Sequence, residues 1–402
     1  MNVCGIVAEY NPFHLGHASH IAKTRQLMGS DCNIVCTMSG NYVQRGDFAV
    51  MNKHARAKAA VLCGADLVFE LPTPYAVSSA EGFAKAAVSL LDGTGVVNCL
   101  SFGSEAGDIG CLRLIADALL SDDLRPLLQE ELQSGMSFAK ARQNAVSSLL
   151  GPEKAALLSS PNNILGVEYL KALTFLSSRI EPLTVARIGA RHDAAGADGP
   201  VVSASYLRSL LKNGESVALS PFMPPLSFDI LREEIQKGTS PVFLENADRS
   251  IVSFLKRLLP EDYLNLPDVS EGLEKRLYSA VLRGFSFDRI CELAKTKRYA
   301  HSRIRRILLS AYLGISKELS EPPPPYLRVL AFNARGQELL KQMKKRAGLP
   351  IVVKPAHVKT LSANAIRLFE LERTASALFC MASPAPENAP ADEYRQSPVL
   401  VP

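Results

Sequence analysis

The sequence lacks long hydrophobic runs, paired cysteines and a strong excess of charge of either sign. No stretch of its residues approaches the roughly 18 consecutive apolar residues that a membrane-spanning helix needs. Met1 leads directly into strand-like residues, without the basic segment and apolar core of a secretory signal. These absences predict a cytoplasmic protein that has no membrane partner.

The eight cysteines form no C-x-x-C pair and no other spacing that is typical of a zinc site. Most of them lie inside apolar runs, where a reduced thiol packs as a small hydrophobic group. The pattern therefore predicts free, buried thiols and no metal site.

Positive charge is distributed unevenly along the chain. Lys and Arg number 45 against 40 Asp and Glu, and this net charge of +5 does not by itself indicate a nucleic-acid partner. Residues 291–360, however, contain 15 basic and four acidic residues, a net charge of +11. Two clusters dominate, Lys295 to Arg306 and Lys341 to Arg346. Both are compatible with contacts to an RNA backbone, although a solvated helix face is the alternative for either cluster.

Alternating strand and helix signals indicate an α/β fold in the first half of the chain. Short apolar runs rich in β-branched residues, each followed by helical periodicity, predict parallel strands joined by crossover helices. The strands are predicted at 3–8, 33–37, 66–70, 97–102 and 182–188, and the helices at about 15–29, 52–63, 78–91 and 107–120. This order is typical of a doubly wound, Rossmann-like parallel sheet.

The chain is long enough for more than one domain, and its pattern changes near residue 220. Three prolines between 221 and 225 punctuate the chain, and long helical stretches with few strand signals follow. We therefore predict an α/β domain over 1–220 and a basic, α-helical C-terminal domain over 221–380. Residues 381–402 are rich in Pro and Ala, which predicts a disordered tail.

The first predicted strand runs into the most informative segment, GIVAEYNPFHLGHASH over residues 5–20. His14 and His17 lie three residues apart at the start of the next helix, on one face, with Gly16 between them. A helix start presents unpaired N–H groups and a partial positive charge, which suit a phosphate group. Two imidazoles there can donate hydrogen bonds to phosphate oxygens during nucleotidyl transfer. A structural cap is the alternative for a single histidine, and no cysteine or carboxylate pattern completes a zinc site.

His14-Leu15-Gly16-His17 resembles the HxGH signature of the HIGH nucleotidyltransferase superfamily. The longer string GIVAEYNPFHLGH, with GNYVQRGDFAVMNKHARAKAA at 40–60, SPNNILGVEYLKAL at 160–173 and RIGARHD at 187–193, is similar to the bacterial tRNA(Met) cytidine acetate ligase family. The resemblance is strong up to about residue 212 and looser beyond. It implies that ATP activates acetate to acetyl-adenylate, and that the acetyl group passes to N4 of the wobble cytidine of elongator tRNA(Met).

The resemblance also implies which residues act. The domain over 1–220 becomes a nucleotidyltransferase-like ATP-binding catalytic domain, with His14, His17 and Arg208 as catalytic residues. The helical domain becomes a tRNA-binding domain. The implied ATP contacts are Val7, Ala8, Glu9, Tyr10, Asn11, Pro12, Phe13, His14, Leu15, Gly16, His17, Ala18, Ser19, His20, Gly103, Asn163, Arg187, Ile188, Ser203 and Ser205.

Two of these contacts also follow from the predicted sheet. Gly103 comes directly after the fourth strand, at the crevice where a doubly wound sheet reverses its order, although it can equally be a plain turn glycine. Asn162 and Asn163 precede a helix predicted to start near Ile164. One of them is expected to cap that helix and the other is free to act, and the resemblance implies that the nucleotide contact is Asn163.

Ser203-Ala204-Ser205-Tyr206-Leu207-Arg208 resembles a degenerate form of the second superfamily signature, ISSTxIR. It keeps two hydroxyls and the guanidinium that bind phosphates in that signature. An ordinary capped helix is the alternative.

The predicted RNA contacts combine the loop after the second strand with the first basic cluster. These candidates are Arg45, Lys297, Arg298, Arg303, Arg305 and Arg306. Mg²⁺ is expected to accompany ATP, although the sequence contains no recognisable carboxylate cage for it. Two other functions stay open, a HIGH-motif nucleotidyltransferase that acts on a small metabolite and a non-catalytic RNA-binding protein of the same fold.

Overall fold

A computed structural model describes residues 2–187, 202–270 and 272–402. They form a mostly parallel central sheet covered by helices, which confirms the predicted fold class. The strands are β1 (Val3–Ala8), β2 (Asn33–Ser39), β3 (Tyr42–Val43), β4 (Asp47–Phe48), β5 (Leu67–Leu71), β6 (Cys99–Ser104), β7 (Glu181–Ala186), β8 (Leu327–Phe332), β9 (Ile351–Val352) and β10 (Val399–Leu400).

The α-helices cover both faces of the sheet and form a separate cluster in the second half of the chain. They are α1 (Leu15–Met28), α2 (Lys53–Leu62), α3 (Thr73–Ala76), α4 (Ala80–Gly93), α5 (Ile109–Leu120), α6 (Leu124–Gln133), α7 (Phe138–Leu150), α8 (Pro152–Ala156), α9 (Pro161–Phe175), α10 (Ala204–Lys212), α11 (Pro225–Gln236), α12 (Asp248–Leu255), α13 (Leu273–Arg283), α14 (Phe287–Ala294), α15 (His301–Leu313), α16 (Lys317–Ser320), α17 (Ala334–Arg346) and α18 (Ala363–Met381). Among the described residues, no helix is both long and apolar enough to cross a membrane.

The strand order β10-β8-β5-β2-β1-β6-β7 confirms the doubly wound arrangement. β1 lies between β2 and β6 and is parallel to both. The sheet is therefore built outward from β1 in both directions, and the strand order reverses there. Helices α4, α5 and α9 pack on one face, and helices α1, α2, α10 and α11 pack on the other. Every residue of β2 is buried, so this strand has no exposed polar face, as is typical of a parallel strand covered on both sides.

The second half of the chain was predicted to be an α-helical domain. The structure differs, because three strands from this half belong to the sheet. β8 is antiparallel to β5, and β9 and β10 each pair with β8 in parallel. Helices α12 to α15 do form a separate apolar core, which α18 joins. Helix α11 still packs on the sheet, so the separate helical core begins after Gln236, and the chain returns to the sheet at Leu327. The domain boundary at residue 220 stays a prediction.

The disordered tail predicted for residues 381–402 is wrong. β10 adds a strand to the sheet, and the Glu393 side chain is only 2% exposed. Its carboxylate lies 2.7 Å from Lys53 Nζ and 2.7 Å from Arg328 Nη2. Ionic contacts as well as apolar packing hold the tail, so a composition rule that counts core-forming residues overlooks it.

All eight cysteines are free, and six of them are buried. This agrees with the prediction of reduced thiols packed in the core.

Candidate active site

A cleft of about 470 Å³ opens where β1, β6 and β7 end. The carboxyl ends of parallel strands at a reversal of strand order are the usual position of a nucleotide site. Predicted residues that line this cleft are Val7, Ala8, Glu9, Tyr10, Asn11, His14, Gly16, His17, Ser19, His20, Arg45, Gly103, Arg187, Ser203, Ser205 and Arg208.

A few predicted nucleotide contacts do not line the cleft. Pro12, Phe13, Leu15 and Ala18 belong to the same segment but support it from behind or lie on other faces of α1. Phe13 is fully buried, and its ring packs 5.5 Å from that of His17. Ile188 lies outside the described residues.

The two signature histidines cap helix α1 with their own rings. His14 Nδ1 accepts a hydrogen bond from the backbone N–H of Gly16 at 3.0 Å, and His17 Nδ1 accepts one from the N–H of His14 at 3.2 Å. The rings stack with their centroids 3.8 Å apart. Because each Nδ1 is an acceptor, each neutral ring carries its proton on Nε2. The capping role therefore orients two Nε2–H donors beside the positive end of a helix.

Burial and neighbouring cations keep the histidines of the cleft neutral. Burial, with Arg187 and then Arg208, lowers the pKa of His14 to about 3. Burial, with Arg187 and then Lys23, lowers the pKa of His20 to about 4. Burial also lowers the pKa of His17, assisted by His14 and Arg187. At neutral pH these rings are thus uncharged hydrogen-bond donors, and the positive charge of the cleft comes from Lys and Arg.

These pKa directions predict the titration of the ligand-free protein. The ¹⁵N signals of the His14 and His20 rings should keep the pattern of a neutral imidazole from pH 8 down to pH 5, with the proton of His14 on Nε2. Both rings have folded pKa values below the ordinary value of roughly 6.5, so the stability they contribute is present above that value and is lost as pH falls. NMR of protein labelled at histidine measures this. Midpoints between pH 6 and pH 7 for these two rings would contradict the geometry.

The second signature segment is hydrogen-bonded to the first. Ser203 caps α10, since its Oγ accepts a hydrogen bond from the Tyr206 N–H at 3.1 Å. One turn on, the Arg208 guanidinium donates to Asn11 O at 3.0 Å and to Ser205 Oγ at 3.0 Å. The segment is thus a capped helix start whose guanidinium and hydroxyls line the cleft, and their contact with phosphates stays a prediction.

Gly103 and Arg187 form one wall of the cleft. β6 and β7 pair so that Gly103 lies opposite Val185. A Cβ atom at Gly103 would lie 3.2 Å from Arg187 Cγ, closer than ordinary van der Waals contact. The glycine therefore leaves room for the arginine side chain, in addition to leaving space for a ligand.

The structure places Asn162 at the cleft and buries Asn163 behind it. Helix α9 starts at Pro161 with Ser160 as its N-cap, so neither asparagine caps it, contrary to the prediction. Asn163 is 1% exposed, and its Oδ1 accepts a hydrogen bond from the Ala106 N–H at 3.0 Å. Its side chain holds the loop after β6, and Asn162 is the one that faces the ligand space.

Arg56 is a supporting residue that the sequence prediction did not single out. Its side chain is fully buried on α2, and its guanidinium donates hydrogen bonds to the backbone carbonyls of Glu9, Ser39 and Gly40. These carbonyls lie at the end of β2 and just beyond the ends of β1 and β2. The available signal was an arginine in the alanine-rich stretch ARAKAA of a helix that packs on the sheet.

The loop after β2 comprises residues 40–52 and contains β3 and β4. Its turn between β3 and β4 brings Gln44 and Arg45 to the cleft and packs against α15. Gly46 has a positive φ of 72°, and a Cβ atom there would lie 2.8 Å from the backbone N of Arg306. Helix α15, whose start belongs to the first basic cluster, therefore lies directly beside the loop that carries Arg45.

Three of the predicted RNA-binding arginines are bonded within the chain. Arg303 donates to the backbone O of Asp268, and Arg305 pairs with Asp288 at 2.6 Å. Arg306 is 9% exposed and pairs with Asp268 at 3.3 Å, so burial removes its guanidinium from any RNA surface. Lys297 and Arg298 are exposed. Part of the +11 charge is thus internal, and Arg306 is a structural residue.

The fold and the cleft define a nucleotidyltransferase of the HIGH class, and the family described as HIGH Nucleotidyl Transferase matches residues 1–393. A tRNA(Met) cytidine acetate ligase of Acetivibrio thermocellus is 39% identical, with 100% of both chains covered. One from Clostridium botulinum is 41% identical over 90% of this chain and 91% of its own. The chain belongs to the tRNA(Met) cytidine acetate ligase family.

Solved structures agree with this assignment. The apo crystal structure of Thermotoga maritima TmcAL matches with a TM-score of 0.95 at 35% identity, and 100% of both chains is covered. The structure of TmcAL bound with alpha-thio ATP matches with a TM-score of 0.93 at 35% identity, covering 100% of this chain and 99% of that one.

Proposed function

We propose that this protein is an ATP-dependent ligase that forms acetyl-adenylate from acetate and ATP and acetylates N4 of the wobble cytidine of elongator tRNA(Met). The carrying observation is the pair of Nε2–H donors at the start of α1, in a cleft that Lys23, Arg187 and Arg208 make positive. The names of the relatives support the acceptor, and the alpha-thio ATP bound by the Thermotoga maritima protein supports the nucleotide.

The activation step needs charge stabilisation rather than proton transfer. An acetate oxygen forms a bond to the α-phosphorus, and the bond from that phosphorus to the bridging oxygen of pyrophosphate breaks. The neutral rings of His14 and His17 donate Nε2–H bonds to the α-phosphate oxygens as negative charge builds up on them. Arg208 and Ser205, which are bonded to each other, are placed to hold the departing phosphates.

Mg²⁺ is proposed to arrive with ATP, bound chiefly by its phosphates. Among residues 2–187, 202–270 and 272–402, no three His, Cys, Asp or Glu side chains cluster as metal ligands. The phosphate oxygens are hard ligands of the kind Mg²⁺ prefers, and the ion would neutralise charge on the triphosphate. Lys23 and Arg187 supply the protein's own positive charge in the same cleft.

The tRNA is proposed to lie along the start of α15, with its wobble base entering the cleft beside Arg45. Lys297 and Arg298 are exposed there, and the loop that carries Arg45 packs against the same helix. A phosphate backbone held at this position would therefore be close to the adenylate. We propose that the reaction takes place in the cytoplasm, where tRNA and ATP are both present.

Charge reversal at Lys297 and Arg298 is expected to weaken tRNA binding about 10-fold or more. The slope of the logarithm of the binding constant against the logarithm of the salt concentration should fall by the equivalent of about two phosphate contacts. Acetate-dependent exchange of pyrophosphate into ATP should stay unchanged, because neither residue lines the cleft. Binding titrations at several salt concentrations measure the effect. The matched control reverses the charges of Arg113 and Lys140, two exposed basic residues on α5 and α7. Equal losses in both double variants would contradict the proposed RNA path.

The decisive assay combines labelled acetate, ATP and elongator tRNA(Met). Label is expected in the wobble cytidine, and a tRNA with uridine at that position should remain unlabelled. If pyrophosphate is released only with a small metabolite, the protein is a different nucleotidyltransferase. If folded protein binds ATP and tRNA but no label enters, the ligase function is refuted and the non-catalytic alternative applies.

A further inference from the structure

Glu9 is an unexpected charge in the cleft. It is the single carboxylate among the described residues that line this space, whereas Lys23, Arg45, Arg187 and Arg208 all contribute positive charge. A carboxylate repels phosphate, so its presence weakens rather than assists ATP binding. Its charge suits a hydrogen-bond donor better than a phosphate oxygen.

The Glu9 carboxylate is held in position but retains a free acceptor atom. Its backbone carbonyl accepts a hydrogen bond from Arg56, and its Oε1 accepts one from the backbone N–H of Gln44 at 2.7 Å. Within the described part of the chain, Oε2 accepts no hydrogen bond. The side chain is half-buried at the end of β1. One carboxylate oxygen therefore anchors the loop after β2, and the other is available to a ligand.

The neighbouring groups are poor proton acceptors. His14 and His17 use Nδ1 as caps and present Nε2–H donors. Asp47 lies outside the cleft lining and faces Arg305 at 3.6 Å. Glu105, also outside the lining, accepts hydrogen bonds from the amide of Asn162. Among the described groups around this cleft, Glu9 is therefore the best placed base.

We propose that Glu9 receives the cytidine N4 amine as a hydrogen-bond acceptor and takes its proton during acetyl transfer, which rests on the proposed function above. The amine nitrogen forms a bond to the carbonyl carbon of acetyl-adenylate, and the bond from that carbon to the AMP oxygen breaks. AMP leaves with the electron pair. The N4 proton passes to Glu9 Oε2 and then to solvent. An amino group is the donor that a carboxylate selects when it recognises cytosine.

The charged and titratable groups around Glu9 come from several elements. Arg56 faces it from α2, Arg208 from α10, and the Tyr169 hydroxyl from α9. Arg45, in the loop after β2, lines the same cleft.

The variant Glu9→Gln tests the proposal, because a glutamine keeps an oxygen for the Gln44 N–H but accepts no proton. Acetate-dependent pyrophosphate exchange is measured beside acetyl transfer, because Glu9 lines the ATP cleft and the exchange rate reports any effect of the change on ATP binding or activation. Transfer from preformed acetyl-adenylate to tRNA should slow by about 10²- to 10⁴-fold, the usual contribution of a general base. The wild-type transfer rate should fall at acidic pH, and the variant should lack this dependence. Glu153→Gln, an exposed change of the same kind, should leave both steps unaltered.

The outcomes separate this proposal from the function on which it rests. Normal transfer by Glu9→Gln, with the wild-type pH profile, would overturn the role of Glu9 and leave the ligase intact. Equal losses of exchange and transfer would also overturn it, since Glu9 would then act in activation or in folding. Recovery of transfer in Glu9→Asp, which restores a carboxylate, would support it. Absence of transfer in the wild-type protein would instead refute the ligase function.

Discussion

Replacing His17 with asparagine is expected to slow acetyl-adenylate formation by about 10²- to 10³-fold, the usual cost of removing one hydrogen-bond donor from a developing oxyanion. Asparagine can keep Oδ1 where Nδ1 now accepts the His14 N–H, so helix α1 stays capped. What is lost is the Nε2–H donor. Acetate-dependent exchange of labelled pyrophosphate into ATP measures the step directly, and tRNA affinity should change little.

The matched variant His17→Gln keeps the donor and loses the helix cap. Glutamine places an N–H near the position of Nε2 but gives up the acceptor that caps the helix. We expect it to recover part of the exchange rate while losing about 1 kcal/mol of stability, the usual value of a helix cap. Exchange at the wild-type rate in His17→Asn, with normal thermal stability, would mean that the signature histidine only caps the helix.

Replacing Glu393 with alanine is expected to lower the free energy of unfolding by about 3–5 kcal/mol, since it leaves buried cations without part of their counter-charge. The carboxylate bonds Lys53 and Arg328, both of which are buried, and Glu70 shares the same two cations. Urea unfolding followed by circular dichroism measures the loss. Glu387→Ala, an exposed change in the same tail, is the control and should cost under about 0.5 kcal/mol.

The pH dependence of this contribution has a definite sign. Burial alone would raise the pKa of Glu393, but Lys53 and Arg328 outweigh it and hold the pKa well below its ordinary value. The stabilisation is therefore fully present above the ordinary glutamate pKa and disappears as pH falls toward the lower folded value. A Glu393→Ala variant whose stability equals that of wild type at pH 7 would show that the tail is not held by this carboxylate.

The strands around the nucleotide cleft were predictable because local and long-range signals agree there. β1, β2, β5 and β6 are short, mostly apolar runs that are largely buried, and a helix follows each of them. The HxGH spacing then fixed His14 and His17 at a helix start. Only their mutual capping was missed, since a histidine ring rarely serves as an N-cap and its tautomer depends on geometry.

The C-terminal strands could not be predicted from local patterns. β8 follows four consecutive prolines and β10 has two residues, so neither carries enough periodicity to outweigh the helical signals around it. Their pairing depends on buried charges that lie far apart in sequence. The four charged residues belong to different parts of the chain, and each one alone would be predicted to lie on the surface. They are Lys53, Glu70, Arg328 and Glu393.

The remaining misplaced residues share one physical cause. Asn163 and Arg306 each have a neighbour of the same chemical type, Asn162 and Arg305, and a helix turns adjacent positions about 100° apart. Only the packing of α9 and α15 decides which member is buried, and it buries Asn163 and Arg306.

The central claim, that this cleft joins acetate to AMP, is tested most directly with acetate labelled by ¹⁸O in both oxygens. If acetate attacks the α-phosphorus, one labelled oxygen bridges the adenylate and stays with AMP when the cytidine amine displaces it. Mass spectrometry of the products formed with ATP and elongator tRNA(Met) should therefore find one ¹⁸O in the phosphate of AMP. Unlabelled AMP, or ADP formed together with labelled inorganic phosphate, would contradict activation at the α-phosphate.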